Sequence, residues 1–153
     1  MKKVRTFVFS TTVLFFSCIL NGFSTDPQGL AGVSEIKAKC FSIAEDIMHD
    51  NIEIGFDTLR VLFADSGGLD IDYMEGKTIE MMKTVSEKYG QPSNVEFAKE
   101  EIIGSSLYRT TFLIKYSFSA LRLRFTFYKG KDDLWYLIRF KWDDELSEVF
   151  DKN

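Results

Sequence analysis

The sequence predicts an α+β domain in which three N-terminal helices pack against one face of a four-stranded antiparallel sheet. Two observations support this fold class. Between Ser34 and Gly90, apolar residues recur every three to four positions, which is the period of an amphipathic helix. After Pro92 they alternate with polar residues, which is the period of a strand buried on one side. The 153 residues, 45% of them hydrophobic, suit one globular domain and exclude a disordered chain.

Each helix is predicted from an apolar stripe and from residues that start or end a helix. Ser34 is a candidate N-cap of the first helix. Asp72 and Glu75 resemble a capping box at the start of the third helix, and Gly90 is placed to end it. The apolar stripes are, in chain order, Ile36, Cys40, Ile43, Ala44 and Ile47; Ile52, Phe56, Leu59 and Phe63; and Ile79, Met82, Val85 and Tyr89.

Three long alternating runs predict the last three strands, and a less regular run from Val95 to Ile103 predicts the first. Residues 117–120 and 129–133, between the long runs, are short enough for hairpin connections. The alternation places one set of side chains on the inward face, against the helices. That set comprises Tyr108, Thr110, Phe112, Ile114, Tyr116 and Phe118; Leu121, Leu123, Phe125 and Phe127; and Leu134, Tyr136, Ile138, Phe140 and Trp142.

The N-terminal residues predict a secretory signal peptide. A basic start, residues 1–5, precedes fourteen uncharged residues from Phe7 to Leu20, too few to span a bilayer as a helix. Gly22 and Ser24 are small residues at the positions that signal peptidase requires for a cut before Thr25. The predicted organisation is a signal peptide at 1–24, a flexible segment at 25–33 and a single domain at 34–150.

The same segment supports a second interpretation, in which Cys18 is the acylated cysteine of a bacterial lipoprotein. Residues 15–18 resemble a lipobox, although Phe15 replaces the usual Leu and the apolar run continues beyond the cysteine. Both interpretations predict export by a bacterium, either to the periplasm or medium or to a membrane anchor. The mature chain then keeps one internal thiol, Cys40, which lies on a helical apolar stripe and is expected to be buried and unreactive.

Composition and charge exclude several classes of function. One histidine and two cysteines exclude a Cys/His zinc cluster and any site that needs two histidines, and we predict no metal site and no cofactor. The formal net charge of −4 becomes −7 once residues 1–24 are removed, because three basic residues and no acidic residue leave with them. An acidic domain has no general affinity for nucleic acid.

Short aromatic and glycine landmarks accompany this order of elements. They are Lys88-Tyr89-Gly90-Gln91-Pro92, Ile103-Gly104-Ser105-Ser106-Leu107-Tyr108-Arg109, Phe127-Tyr128-Lys129, Asp133-Leu134-Trp135 and Phe140-Lys141-Trp142-Asp143-Asp144. In these features residues 34–150 resemble small exported bacterial domains of the nuclear-transport-factor-two-like superfamily, the cystatin-like α+β cone. The resemblance implies a curved sheet wrapped around the helices, a conical cavity, and dimerisation through the outer face of the sheet.

The resemblance also raises an enzymatic function, because that superfamily includes isomerases and dehydratases that act in the cone cavity. Such sites pair a base of near-neutral pKa with tyrosines that polarise a carbonyl. The inward face is predicted to hold three tyrosines without Asp, Glu or His. We therefore expect a non-enzymatic cavity for a small apolar ligand; the alternative is a cavity enzyme whose strand register is shifted by one residue. The cavity candidates are Tyr108, Tyr116, Tyr136, Phe112 and Phe125.

The outward face of the predicted sheet is basic, although the rest of the domain is acidic. Residues 99–141 carry nine basic and four acidic side chains, whereas residues 25–98 carry six basic and fourteen acidic ones. This face is therefore a candidate surface for a protein partner, an anionic envelope component or the acidic helices of a second copy. A face charged only for solubility is the alternative. The partner-face candidates are Arg109, Arg122, Arg124, Trp135 and Arg139, and Lys115 and Lys141 share their face.

Overall fold

The computed structural model describes residues 27–64 and 70–150 of the chain. It confirms the α+β class and the order of helices followed by strands. The predicted signal peptide and Cys18 lie outside the described residues. The elements are α1 (Val33–Met48), α2 (Ile52–Leu62), α3 (Ile71–Tyr89), β1 (Pro92–Ile103), β2 (Leu107–Tyr116), β3 (Ala120–Lys129), β4 (Trp135–Asp143) and a 3₁₀ helix (Leu146–Val149).

The four strands form one antiparallel sheet in the order β1-β2-β3-β4, so each strand pairs with its neighbours in sequence. The free side of β4 is partly covered by other segments of the chain. Leu30 exchanges two backbone hydrogen bonds of 2.8 Å with Trp135, and the N–H of Ala64 donates one of 2.9 Å to Leu137. Leu30 is fully buried, although it belongs to the segment predicted to be flexible. The packed domain therefore includes residues that precede Ser34.

The helices cover one face of the sheet, and the core lies between the two layers. Aromatic rings form its centre. The Phe125 ring lies 6.2 Å from that of Phe112 and 5.1 Å from that of Phe140, and Phe56 of α2 meets Phe140 edge-on at 5.9 Å. The predicted stripes of α1 and α2 are buried, and so are the predicted inward residues of β2 and β3.

The caps of α3 agree in part with the prediction. Gly90 ends the helix with a φ of 86°, a left-handed conformation that favours glycine. At the start, Asp70 takes the capping role, because its side chain accepts a hydrogen bond of 2.9 Å from the backbone N–H of Tyr73. Asp72, predicted for that role, instead pairs with Arg60 of α2 at 2.7 Å.

Three residues predicted to face the core are exposed, namely Ile79, Phe118 and Ile138. Ile79 lies on the outer side of α3, while its neighbour Thr78 is buried and accepts a hydrogen bond of 2.7 Å from Nε1 of Trp142. Phe118 is 85% exposed, because β2 ends at Tyr116 and the chain turns before β3. The alternation does not show where β2 ends, and in α3 the buried face passes through Thr78, Met82 and Val85 instead of Ile79.

A β-bulge interrupts the regular alternation of β4. Thr126 of β3 pairs with Arg139, but the next residue, Phe127, pairs with Leu137, so Ile138 has no opposite residue on β3. A bulge adds one residue to one strand and shifts every side chain on one side of it to the opposite face. The side chains that precede Ile138 in β4 therefore face the other way from the prediction.

Candidate functional site

The outer face of the sheet, away from the helices, carries basic side chains in two adjacent rows that run across the strands. In one row Thr126 lies between Arg109 and Arg139. In the next row Arg124 of β3 lies directly opposite Lys141 of β4. Opposite residues in an antiparallel sheet have Cβ atoms about 5 Å apart, so these long side chains share one small region of surface.

These five side chains line a depression of about 330 Å³, which we call the basic depression. Its volume is at the lower end of the range for pockets that hold small ligands. It is assembled by β2, β3 and β4 together, since each strand contributes at least one cation. A rigid sheet thus fixes the relative positions of the charges.

Two carboxylates border the basic depression. Glu101 Oε2 lies 3.5 Å from Nη1 of Arg109, and Asp143 Oδ2 lies 3.2 Å from Nζ of Lys141. Arg139, at the end of its row, is exposed to solvent. Ion pairs between partly exposed side chains contribute at most about 1 kcal/mol, so a ligand with more than one charge can compete with them. The depression is therefore an electropositive site that remains open to an anion.

Polar atoms of β2 next to this site lack hydrogen-bond partners. Nε of Arg109 and Oγ1 of Thr111 are buried, and neither has a partner among the described residues. Thr111 pairs with Arg124 in the second basic row. A buried polar group that makes no hydrogen bond costs about 1–3 kcal/mol. This part of the sheet therefore has unused hydrogen-bonding capacity.

Arg122, predicted as an accessible partner-face residue, is instead buried, and that prediction is wrong. Its side chain is 2% exposed, and its Nε and Nη2 lie 2.9 and 2.7 Å from Oδ1 of Asp143. The 3₁₀ helix also packs on β3, the strand that carries Arg122. Arg122 therefore joins β3 to the end of β4 and is not available to a partner.

Asp143 gives this ion pair a defined pH dependence. Burial disfavours its charged form, but hydrogen bonds from Arg122 and Lys141 outweigh burial, so the pKa of Asp143 is lowered. The unfolded chain therefore binds this proton at higher pH than the folded chain does. The stabilisation is complete above about pH 4, the ordinary pKa of Asp, and is lost as the pH falls through the lower folded pKa.

We expect Asp143→Asn to reduce the pH dependence of stability in acid. Between about pH 5 and pH 2.5, the urea midpoint should fall more steeply in the wild type than in the variant, which is less stable at neutral pH. Asp144→Asn, a change at the exposed neighbouring carboxyl, is the control and should keep the wild-type slope. Parallel midpoint curves for the wild type and Asp143→Asn would contradict the assignment.

Four of the five cavity candidates lie in the core. Tyr108, Phe112, Tyr116 and Phe125 are each at most 6% exposed. The hydroxyl of Tyr116 donates to the sulfur of Met82 on α3 at 3.6 Å, and burial raises the pKa of this tyrosine to about 12. These side chains fill the space between the sheet and the helices.

The bulge exchanges the positions predicted for Trp135 and Tyr136. Trp135, a partner-face candidate, is buried, and its ring lies 6.1 Å from that of Tyr108. Tyr136, a cavity candidate, lies on the outer face opposite Tyr128, and its hydroxyl donates to Oδ2 of Asp132 at 2.5 Å. Both predictions are wrong for one reason, because each assumed that the alternation of β4 is unbroken.

A carboxylate does accompany one inward tyrosine, which the strand pattern did not predict. Oε2 of Glu100 accepts a hydrogen bond of 2.8 Å from Tyr108 and lies 3.0 Å from Nζ of Lys37. The pKa of Glu100 is lowered by the bond from Tyr108 and then by Lys37, while burial first and Glu100 second raise the pKa of Tyr108. Isomerase-type catalysis requires a base of near-neutral pKa, so a carboxylate shifted downward does not supply one.

The internal thiol occupies the position expected from its helix. Cys40 is fully buried in α1, and burial raises the pKa of its thiol, which makes it a poor nucleophile. Within residues 27–64 and 70–150, no group of three or more His, Cys, Asp and Glu side chains could hold a metal ion.

In the part of the chain that the structure describes, the helices are too short or too polar to cross a membrane.

No family model, no curated protein and no solved structure matches this chain. The resemblance to the nuclear-transport-factor-two-like superfamily therefore stays a prediction, as does the cone shape that it implies. The function must be inferred from the residues of this chain, and the basic depression offers the most defined chemistry among those described.

Proposed function

We propose that this chain is a non-enzymatic binding module that captures an anionic group in the basic depression. One observation carries the proposal: Arg109, Arg124, Arg139 and Lys141 converge on a depression of about 330 Å³ in a protein whose net charge is negative. Glu101 and Asp143 pair with two of these cations at the border of the depression, and an anion with more than one charge, placed between the four, would add to this neutralisation.

The arrangement fits a phosphoryl group better than a carboxylate. Each guanidinium presents a planar fork of N–H donors that matches two oxygens of a phosphate. Arg109, Arg124 and Arg139 approach the depression from three different strands. A terminal phosphoryl group offers three acceptor oxygens to these three directions, whereas a carboxylate offers two in one plane. Thr126, which also lines the depression, adds a hydroxyl donor.

The module is further proposed to act outside the cytoplasm, as a periplasmic or secreted protein or as an anchored lipoprotein. This part of the proposal depends on residues 1–24, whose basic start and apolar run have the form of an export signal. The mass of the mature protein distinguishes cleavage after Ser24 from acylation of Cys18.

Two other uses of the domain have less support. The residues predicted to line an apolar cavity pack against other side chains, as Phe112 and Phe125 do. A two-fold dimer through the outer face would bring the cations of one copy toward the same cations of the other. Like charges placed together across an interface disfavour the complex.

The proposal predicts that pyrophosphate, as a probe for the phosphoryl group, binds to the purified protein. We expect Arg139→Gln to weaken this binding about tenfold, because a hydrogen-bonded charge contributes about 1.5–3 kcal/mol and 1.4 kcal/mol is a factor of ten. Isothermal titration calorimetry at low ionic strength measures the affinity, which should fall as salt is added.

Lys39→Gln is the matched control, because it also removes one exposed cation but lies on α1, in the helical layer. This variant should bind pyrophosphate as the wild type does. The proposal is wrong if the wild type binds no pyrophosphate, or if both variants lose affinity equally and the effect is one of net charge.

A further inference from the structure

An apolar row borders the basic depression on the outer face of the sheet. It consists of Ile103, Leu107 and Tyr128, which pair across β1, β2 and β3. Ile103 is 62% exposed and Tyr128 is 48% exposed. Exposed apolar side chains that form a continuous row next to a charged site are typical of an interaction surface.

The apolar row and the basic depression share surface. A cleft of about 30 Å³ is lined by Ile103 and Leu107 of the row, by Arg109 and Thr126, and by Tyr108 and Glu101, the carboxylate that pairs with Arg109. Arg109 and Thr126 line the basic depression as well. A ligand that fills the depression therefore lies beside apolar side chains and is not surrounded by charge on all sides.

The apolar row stands at the end of the sheet where a turn joins β1 to β2. Ile102, equally exposed at 62%, lies opposite the inward residue Tyr108 and so belongs to the other face of the sheet, while the turn residues 104–106 are uncharged. Two pairs of opposite charge lie near this end: Lys129 is 2.9 Å from Asp133, and Lys99 is 3.8 Å from Glu101. The hairpin end is thus an apolar projection next to a cationic site.

We propose that the basic depression binds the phosphate of an anionic phospholipid at a membrane surface, while the apolar row, with Ile103 as its most exposed member, enters the boundary between headgroups and acyl chains. The inference rests on the proposed function and names the source of its phosphoryl group. In this arrangement the folded domain touches the surface of one leaflet and does not cross the membrane.

Two physical effects favour this partner. Basic residues are attracted to an anionic leaflet, and buried apolar area adds to that attraction. Residues 25–98, which include all three helices, carry fourteen acidic and six basic side chains, and these helices lie on the opposite side of the sheet. Because the helical side is acidic and the outer face is basic, a negative surface attracts the outer face and repels the helical side.

Two other ligands, a soluble phosphate compound and a second copy of the chain, fit this surface less well. A soluble phosphate compound would fill the basic depression and leave Ile103 and Tyr128 of the apolar row in water. A second copy, placed face to face, would oppose Arg109 and Arg139 with the same cations. An anionic membrane offers phosphate groups to the basic depression and an apolar layer to the apolar row.

Co-sedimentation with lipid vesicles tests the inference. We expect the purified protein to partition at least about tenfold more strongly onto vesicles of phosphatidylglycerol and phosphatidylcholine in equal parts than onto phosphatidylcholine alone. Arg139→Gln should weaken partition onto the mixed vesicles about tenfold. Ile103→Ser should weaken it about fivefold or more and leave the affinity for pyrophosphate unchanged, because the phosphate contacts remain.

Ile54→Ser is the matched control, since Ile54 is 57% exposed on α2 in the helical layer. This variant should partition as the wild type does. All variants share the same N-terminus, so the apolar residues 7–20 contribute equally and differences between variants report the sheet.

The outcomes separate the two proposals. Pyrophosphate binding without a preference for phosphatidylglycerol overturns the membrane inference and leaves the proposed function standing. Failure to bind pyrophosphate overturns the proposed function itself. Equal partition of wild type and Ile103→Ser overturns the role of the apolar row. A dimer that Arg139→Gln abolishes, with no vesicle binding, assigns the outer face to a second copy and also overturns the inference.

Discussion

Phe125→Ala is expected to lower the free energy of unfolding by about 3–5 kcal/mol. Phe125 is fully buried, and its ring contacts those of Phe112 and Phe140. Truncation removes apolar surface from the core and leaves a cavity that the rigid neighbouring rings fill only in part. Urea denaturation with linear extrapolation measures the loss.

Phe118→Ala is the matched control, because it removes the same atoms from a ring that is 85% exposed. This change should alter stability by less than about 0.5 kcal/mol. A similarly small loss at Phe125 would mean that its ring faces open space, and the hypothesis of an apolar ligand cavity would then regain support.

Arg122→Met is expected to cost about 3 kcal/mol, near the lower end of the range for a buried ion pair that loses one partner. Methionine keeps most of the apolar volume of the arginine side chain, so the loss of stability results mainly from removal of the positive charge. The remaining carboxylate of Asp143 is 19% exposed and still lies 3.2 Å from Lys141, which limits the cost. The change in the urea midpoint measures it.

Lys77→Met serves as the control for Arg122, because the pair of Lys77 with Glu80 is exposed on α3. Loss of this exposed pair should lower the urea midpoint far less than Arg122→Met does. Adding Asp143→Leu to Arg122→Met should restore most of the stability, since it removes the unpaired carboxylate. If Arg122→Met is as mild as the control, the ion pair has no structural role.

The buried faces of α1, α2 and the two central strands are predictable from the sequence because each of these elements buries one face. Along α1, the stripe that includes Ile36 and Cys40 is buried as predicted, and the same holds for Phe112 in β2 and Phe125 in β3. In these elements local period and tertiary burial agree, so the sequence pattern is sufficient.

The faces of β4 were not predictable in the same way. Residues 134–142 alternate as an unbroken strand would, and the bulge at Ile138 depends on how β4 pairs with β3. Trp135 and Tyr136 therefore exchanged faces. Glu100 is a related case, because its approach to Tyr108 follows a register shift in β1 that no local pattern reveals.

For the candidate site, the sequence predicted a basic face of the sheet but not which of its arginines line one depression. Arg109, Arg124 and Arg139 were placed on the basic face by alternation, and all three line the basic depression. Arg122 has the same residue type and the same parity, yet it is buried because Asp143 lies opposite it on β4. Whether an arginine of β3 is accessible therefore depends on the residue that lies opposite it on β4.

The two edges of the sheet have a consequence for how the molecule avoids fibril formation. An open strand edge can recruit a strand from another chain, and a long aromatic sheet is prone to this growth. At β4, Trp135 and Leu137 already bond to Leu30 and Ala64, so part of that edge is occupied. At β1, charged side chains and a proline obstruct the addition of a strand; they are Pro92, Glu96, Lys99, Glu100 and Glu101. The two sheet edges thus give the molecule its own protection against polymerisation.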